Sequence, residues 1–179
     1  MIDDKELEAY FGLNWDGKPG THYVRFMLGQ NQLAIEAAIV SNIRELPITT
    51  HIPGLPPYVL GVSNQLGNVV PIIDLRIKLA LPLAYFNQER PMLLLVAIPD
   101  AMDASRKRLL GFVVDQVEAL CFVRDEEKKT ANKKSLHLEL DPDYIIGKVR
   151  QSHLSTYLFD IVSWAQECVL YELQKKLTM

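Results

Sequence analysis

The sequence predicts a mostly β protein, built as small barrels or a sandwich, with one long helix at its C-terminal end. About nine or ten short apolar runs follow one another, each bounded by turn-forming residues. In the middle of the chain, residues 74–81 can form one short helix, which Pro82 stops. The chain ends on a helical apolar stripe that consists of Val162, Ala165, Val169, Leu173 and Leu177.

The elements are predicted in the following order. Residues 3–11 form a short helix capped by Asp3 or Asp4, and a turn-rich linker leads from it into the strands. Pro71 lacks an N–H donor, so its strand is placed at an edge or a bulge. The strands are predicted at residues 23–28, 32–40, 58–63, 69–75, 92–98, 109–114, 117–123, 145–149 and 156–162.

The connections between these strands have distinct compositions. Gly29 to Asn31 supplies a tight turn, and residues 47–57 form a proline-rich crossing that excludes helix and central strand. The polar run 124–135 mixes acidic and basic residues without an apolar period. It is interpreted as a solvated loop with no binding role.

Composition narrows the class of protein. The chain has 179 residues, of which 49% are hydrophobic and 23% charged, and this suits one domain or two fused lobes. The formal net charge of -3 argues weakly against a nucleic-acid partner.

The start of the chain is acidic and unlike a signal peptide, and the longest apolar runs are far shorter than the roughly 20 residues that span a bilayer. A cytoplasmic protein is therefore predicted.

No set of residues typical of catalysis is visible. The four histidines, the glycines and the serines form no metal-binding, phosphate-binding or nucleophile motif. Cys121 and Cys168 lack any paired spacing and are interpreted as buried free thiols. The prediction is a protein without catalytic residues, metal or cofactor.

Three aspartates, Asp74, Asp115 and Asp160, each end an apolar run. A carboxylate at such a position usually accepts hydrogen bonds from backbone N–H groups of the turn that follows. We therefore expect these aspartates to serve the fold.

Several motifs occur together in a characteristic order. The most specific is GVSNQLGNVVPIIDLR at 61–76, and the others are YVRFMLG at 23–29, VSNIR at 40–44, GFVVDQV at 111–117, IGKV at 146–149 and LFDI at 158–161. In order and spacing, these motifs resemble the CheW-like adaptor family, which includes pilus and phototaxis adaptors of the PilI type. The resemblance covers residues 21–162, preceded by an N-terminal helix and linker at 1–20 and followed by the C-terminal helix at 163–179.

The resemblance implies a fold and a role. The fold is two small five-stranded SH3-like barrels that share a core. The role is that of a scaffold without catalysis, which binds the regulatory domain of a CheA-type histidine kinase and the helical tip of a chemoreceptor. Such a scaffold is cytoplasmic and is recruited to membrane receptor arrays.

Six partner-binding residues follow from the resemblance. Val40 and Ile43 match the receptor-facing strand of the family, and Asn42 stands where many members carry glutamate. Asn64 and Gly67 match a hairpin that reads N-L-R-G in the family. The sixth residue, Leu66, replaces the arginine of that hairpin.

The leucine removes a charge and five hydrogen-bond donors from the hairpin. Three outcomes are open: Leu66 meets an apolar receptor surface, a nearby arginine such as Arg44 or Arg76 compensates, or receptor binding has been lost. We favour a changed choice of partner. The alternatives to the full role are a divergent adaptor that binds the kinase but no receptor, and an orphan barrel that binds a small ligand.

Overall fold

The computed structural model describes residues 19–65, 67–82, 90–100, 102–103, 105–131, 139–150 and 153–177. The predicted N-terminal helix at 3–11 and Leu66 lie outside these residues. The described residues form ten strands: β1 (Gly20–Leu28), β2 (Asn31–Glu36), β3 (Val40–Glu45), β4 (Val59–Gln65), β5 (Asn68–Asp74), β6 (Met92–Pro99), β7 (Lys107–Val114), β8 (Gln116–Arg124), β9 (Ile145–Val149) and β10 (Thr156–Phe159).

The strands form two five-stranded sheets. Lobe 1 has the order β8-β1-β2-β10-β9, and lobe 2 has the order β3-β6-β7-β5-β4. Neighbouring strands are antiparallel except for the pairs β2–β10 and β5–β7. Lobe 1 contains the first two and the last three of the described strands, so lobe 2 is inserted between its halves. The predicted mostly β fold with two five-stranded units is confirmed.

Backbone pairs outside the named strands close each sheet on itself. In lobe 2, Thr50 and Val62 exchange two backbone hydrogen bonds of 2.8 and 2.9 Å. Gly61 makes this approach feasible, because a Cβ there would lie 2.3 Å from the Thr50 carbonyl oxygen. In lobe 1, Lys129 pairs with Lys148. The run 124–135 is thus not only a solvated loop, because this backbone bridge links it to β9.

Two strand predictions need correction. The predicted strand at 32–40 is divided by a 3₁₀ turn at Ala37–Ile39, so Val40 begins a strand of the other lobe. Apolar residues continue across this turn, and their pattern therefore hides the change of sheet. Pro71 lies in the interior strand β5, although an edge or a bulge was predicted. The β5–β7 ladder begins only at Ile72, beyond the missing donor of the proline.

The main hydrophobic core is shared by the two lobes. It contains Phe26 and Leu33 from lobe 1 and Leu94 and Phe112 from lobe 2, all at 0% exposure. A smaller cluster fills the interior of each lobe. Because both lobes bury apolar side chains in one core, we expect them to unfold together.

Helices cover the shared core. The central helix α1 (Leu75–Lys78) is shorter than predicted, and Asp74 caps it by accepting hydrogen bonds from Arg76 and Ile77. The C-terminal helix consists of α2 (Ile161–Ala165), a π-helical turn (Gln166–Leu170) and α3 (Tyr171–Leu177). Asp160 caps α2, so the predicted strand at 156–162 ends before it. The capping role expected of these two aspartates is confirmed.

The C-terminal helix contacts both lobes. Its buried Trp164 packs on Phe112 of lobe 2 and Phe159 of lobe 1, with ring centroids 6.1 and 5.4 Å apart. Its Glu167 accepts a 2.6 Å hydrogen bond from the hydroxyl of Tyr144, just before β9. Gln166 donates to the carbonyl oxygen of Pro99 at the end of β6, at 2.7 Å. The helix therefore joins the two lobes.

Asp115 joins the lobes at a second point and differs from the other two aspartates. Its carboxylate accepts hydrogen bonds from both Nε and Nη2 of Arg76 and from the backbone N–H of Gly29 at 2.7 Å. Gly29 belongs to the β1–β2 turn of lobe 1, and Arg76 lies in α1. The expectation that Asp115 caps its own following turn is wrong, because its partners are distant in sequence.

Tyr58 makes a pH-dependent contact with the C-terminal helix. It is 7% exposed, and its hydroxyl donates a hydrogen bond to Glu172, which also binds Lys78. The pKa of Tyr58 is raised, mainly by burial of its hydroxyl and to a smaller extent by the hydrogen bond to Glu172. A tyrosine in the unfolded chain ionises near pH 10, at about its ordinary pKa. The folded chain retains this proton to higher pH, so the contact loses stabilising effect as the pH rises above that value.

Tyr58→Phe should therefore be less stable than wild type by about 1 kcal/mol at pH 7, because one hydrogen bond is lost. The difference should shrink as the pH rises above about 10, where the unfolded wild-type chain loses its proton. Urea denaturation of both proteins at a series of pH values measures this difference in the free energy of unfolding. Tyr171→Phe, at an exposed position of the helix that carries Glu172, is the control. A Tyr58→Phe difference that does not change with pH would contradict the argument.

Candidate partner-binding surface

The predicted residues of β3 lie on an edge strand of the lobe 2 sheet. Val40 is half-buried against the shared core, and Ile43 is 36% exposed. Asn42 is half-buried and pairs with Leu95 of β6. The β3–β6 ladder has a bulge between Val40 and Asn42, whose partners Val96 and Leu95 are adjacent residues of β6. The regular alternation of side chains along β3 is therefore interrupted there.

The predicted hairpin residues lie between β4 and β5. Asn64 is exposed and pairs with Val69 across the hairpin. Gly67 is exposed and has a φ of +82°, with open space where a Cβ would be. The placement of Leu66, between these two, lies outside the described residues.

A side-chain hydrogen bond brings the strand and the hairpin together. Nη1 of Arg44, next to Ile43 in β3, donates to Oε1 of Gln65 in β4 at 3.0 Å. The sheet order places β3 and β4 at opposite edges, so this bond crosses the line where the lobe closes. We call this line, with Arg44, Thr50, Val62 and Gln65, the lobe 2 seam. The predicted Ile43 and Asn64 are therefore the immediate chain neighbours of two seam residues.

Two exposed aliphatic residues beside the seam were missed by the sequence analysis. Ile48 is 96% exposed and Val69 is 74% exposed. Ile48 lies two residues before Thr50, which pairs with Val62 at the seam. Val69 pairs with Asn64 across the hairpin. Single exposed aliphatic residues carry no signal in a sequence, since their exposure is decided by the closure of the sheet.

A groove separates the hairpin from the C-terminal helix. It has a volume of about 420 Å³ and contains apolar side chains from both, with basic groups among its lining. Its aliphatic lining includes Val69 and Leu109 from the sheet and Leu170 and Leu173 from the helix. An exposed apolar surface beside the hairpin is thus continuous with a groove.

The two arginines proposed to replace the family's hairpin arginine differ in position. Arg76 is bound to Asp115 and to the carbonyl oxygen of Pro82, and its side chain is 13% exposed. Arg44 is exposed and is held at the hairpin by Gln65. Of the two, only Arg44 contacts a residue of the hairpin among the described residues.

The polar groups of the described residues show no converging metal ligands: no three His, Cys, Asp or Glu side chains come together there. Cys121 is buried and free, and burial raises the pKa of its thiol. Cys168 is only half-buried and lies 3.6 Å from the hydroxyl of Tyr144. The expectation of two buried thiols therefore holds for Cys121 and is wrong for Cys168. No helix in the described part of the chain is long and apolar enough to cross a membrane.

Comparison with known proteins identifies the family. The model of the CheW-like domain matches residues 22–153, which is most of the chain. The chain belongs to the CheW-like family. The resemblance seen in the order of the sequence motifs is thereby confirmed.

Relatives of this CheW-like chain are found in several bacteria. The chemotaxis protein CheW of Bacillus subtilis is 31% identical over 114 residues, which cover 64% of this chain and 68% of that protein. CheW of Klebsiella aerogenes is 28% identical over 128 residues, covering 72% and 71%. CheW of Helicobacter pylori is 31% identical, covering 64% and 65%.

A solved structure agrees with the fold of this CheW-like chain. The scaffolding protein TtCheW from Thermoanaerobacter tengcongensis superposes with a TM-score of 0.64 at 17% identity, covering 78% of this chain and 88% of that one. At this level of identity the agreement concerns the fold alone. The predicted pair of SH3-like barrels with a C-terminal helix is confirmed.

Proposed function

We propose that this protein is a scaffold without catalytic activity, which couples a CheA-type histidine kinase to a chemoreceptor-like array that controls motility. The observation that carries this proposal is the match to the CheW-like domain over residues 22–153. The relatives from B. subtilis and K. aerogenes are named chemotaxis proteins, which supports a role in the same process.

The proposed contacts with partners lie on lobe 2. Val40, Asn42 and Ile43 of β3 and Asn64, Leu66 and Gly67 of the hairpin are the residues proposed to meet the receptor or the kinase. The seam supports this, because it joins Arg44 beside Ile43 to Gln65 beside Asn64. The exposed Ile48 and Val69 add apolar area of the kind that marks a protein interface.

The scaffold is proposed to act in the cytoplasm and to reach the membrane only through a receptor. A kinase-only adaptor is the second candidate, and the replacement of the hairpin arginine by Leu66 favours it. Both candidates share the kinase contact. They differ in whether the full chain binds the helical tip of a receptor.

Binding to each partner, measured separately, tests the proposal. The full chain is titrated calorimetrically with the regulatory domain of the CheA-type kinase from the same genome, and then with a soluble receptor-tip fragment. We expect binding to both at micromolar concentrations. Binding to the kinase domain alone would select the kinase-only adaptor, and binding to neither would overturn the proposal.

A deletion of the gene distinguishes the motility systems. Loss of directed swimming would indicate flagellar chemotaxis, whereas loss of twitching or of light-directed movement would indicate a pilus or phototaxis array. Unchanged motility of every kind would contradict a role in such an array.

A further inference from the structure

We infer that Arg44, held in place by the buried Gln65, is the cation that this protein presents to an acidic helical segment of its receptor-type partner. The inference rests on the proposed function and assigns a recognition residue within it. It concerns the lobe 2 seam, where the side chains of β3 and β4 meet.

The position of Arg44 is fixed by a buried amide. Gln65 is 1% exposed, and its Oε1 accepts from Arg44 Nη1 at 3.0 Å, while its Nε2 donates to Ser63 Oγ at 2.9 Å. Each end of the amide has a partner, which defines its orientation. A buried amide oxygen without a donor is costly, so Gln65 favours the conformation in which the guanidinium stays beside the hairpin. Gln65 is therefore a positioning residue.

The guanidinium retains donors for a partner. Arginine has five N–H donors, and the described residues join Arg44 to Gln65 through Nη1. Its neighbour Glu45 forms an ion pair with Arg90 instead. No carboxylate among the described residues forms an ion pair with Arg44, so its charge is not neutralised there. An exposed, oriented and uncompensated guanidinium is suited to bind a carboxylate through two parallel hydrogen bonds.

The surroundings of Arg44 indicate the rest of the partner's surface. Two strongly exposed aliphatic residues adjoin the seam: Ile48, two residues before Thr50, and Val69, which pairs with Asn64 next to Gln65. A partner that covers them must offer apolar side chains near the carboxylate. A helix with an acidic residue beside an apolar face has this chemistry. Charge complementarity with Arg44 would set its orientation and would steer its approach.

The hydrogen bond between Arg44 and Gln65 links two differences between this chain and the family hairpin, at positions 65 and 66. The hairpin motif N-L-R-G is here Asn64-Gln65-Leu66-Gly67. The hairpin's own arginine is absent, and the glutamine next to it binds an arginine from β3. The cation is thereby supplied by β3, from across the lobe 2 seam. Arg76 is not the substitute, because Asp115 and Pro82 bind its guanidinium.

The test uses the full chain, with the receptor-tip fragment and the kinase regulatory domain as separate partners. Arg44→Gln should weaken binding to the receptor tip by about 10-fold and reduce its dependence on salt, because one close charge pair is lost. Arg44→Lys should retain the salt dependence but weaken binding, since an ammonium lacks the planar fork. Gln65→Leu should weaken binding while Arg44 remains, because the guanidinium is no longer held.

Two controls accompany these variants. Lys176→Gln removes an exposed cation of the C-terminal helix that does not line the groove, and it should leave receptor affinity unchanged. The melting temperature of each variant shows whether it folds, and Arg44→Gln changes an exposed side chain. If Gln65→Leu fails to fold, the comparison of Arg44→Gln with Lys176→Gln still decides the question.

The outcomes separate this inference from the proposed function. Wild-type protein that binds the receptor tip, with Arg44→Gln equal to it in affinity and salt dependence, would overturn the inference and leave the scaffold role intact. Wild-type binding to the kinase domain without the receptor tip would overturn the inference and select the kinase-only adaptor. Binding to neither partner would overturn both.

Discussion

Asp115→Ala should lower the free energy of unfolding by about 3 kcal/mol, because it leaves a mostly buried guanidinium without its carboxylate. The Arg76 and Asp115 side chains are only 13% and 17% exposed. The substitution also removes the acceptor for the backbone N–H of Gly29, 2.7 Å away. Urea denaturation followed by tryptophan fluorescence measures the change.

An exposed ion pair provides the matched control. Arg90 and Glu45 lie 3.1 Å apart with side chains 82% and 64% exposed. Glu45→Ala should change the free energy of unfolding by less than about 0.5 kcal/mol, since water screens such a pair. If Asp115→Ala were no more destabilising than Glu45→Ala, the link between the lobes through Asp115 would carry no stability.

A double variant separates attraction from the cost of an unpaired charge. Arg76→Met with Asp115→Leu removes both charged groups and should be more stable than Asp115→Ala alone, because no charge is left buried without a partner. A double variant as unstable as the single one would show that the geometry at Gly29 matters more than the charge of Arg76.

Trp164→Ala should lower the free energy of unfolding by about 3–5 kcal/mol, because it removes a large side chain from a packed core and leaves a cavity. Trp164 is 3% exposed and contacts aromatic rings of both lobes. Its loss should therefore also broaden the unfolding transition if the lobes then unfold separately. Denaturation followed by circular dichroism measures both the midpoint and the slope.

A second aromatic residue of the same helix serves as the control. Tyr171 is 55% exposed, and Lys175 lies over its ring at 4.6 Å. Tyr171→Ala should cost about 1 kcal/mol or less, because little area leaves water on folding there. Equal losses in the two variants would mean that Trp164 does not join the lobes through the core.

Local rules predicted much of the fold correctly. The caps at Asp74 and Asp160 bind N–H groups two or three residues away. These features depend on neighbours in the chain. Element limits were less accurate where apolar residues continue through a change of structure, as at Val40 and after Phe159.

The candidate surface was predicted in part. The family motifs led to Val40, Ile43, Asn64 and Gly67, although no feature of the sequence showed which of them are neighbours in space. Their relation depends on the lobe 2 seam, and there on a hydrogen bond between residues 21 positions apart. The exposed Ile48 and Val69 were not found, because exposure depends on which strands cover a position.

Taken by itself, the sequence determined that this is a mostly β chain of the CheW-like kind, with a C-terminal helix and an altered hairpin at 64–67. Its apolar runs, turn residues and motif order are local properties that can be read along one chain. The tertiary structure alone decided that Asp115 joins the lobes and that Arg44 stands at the hairpin. These contacts form only when two sheets close around a shared core, and closure brings together residues that no local pattern relates.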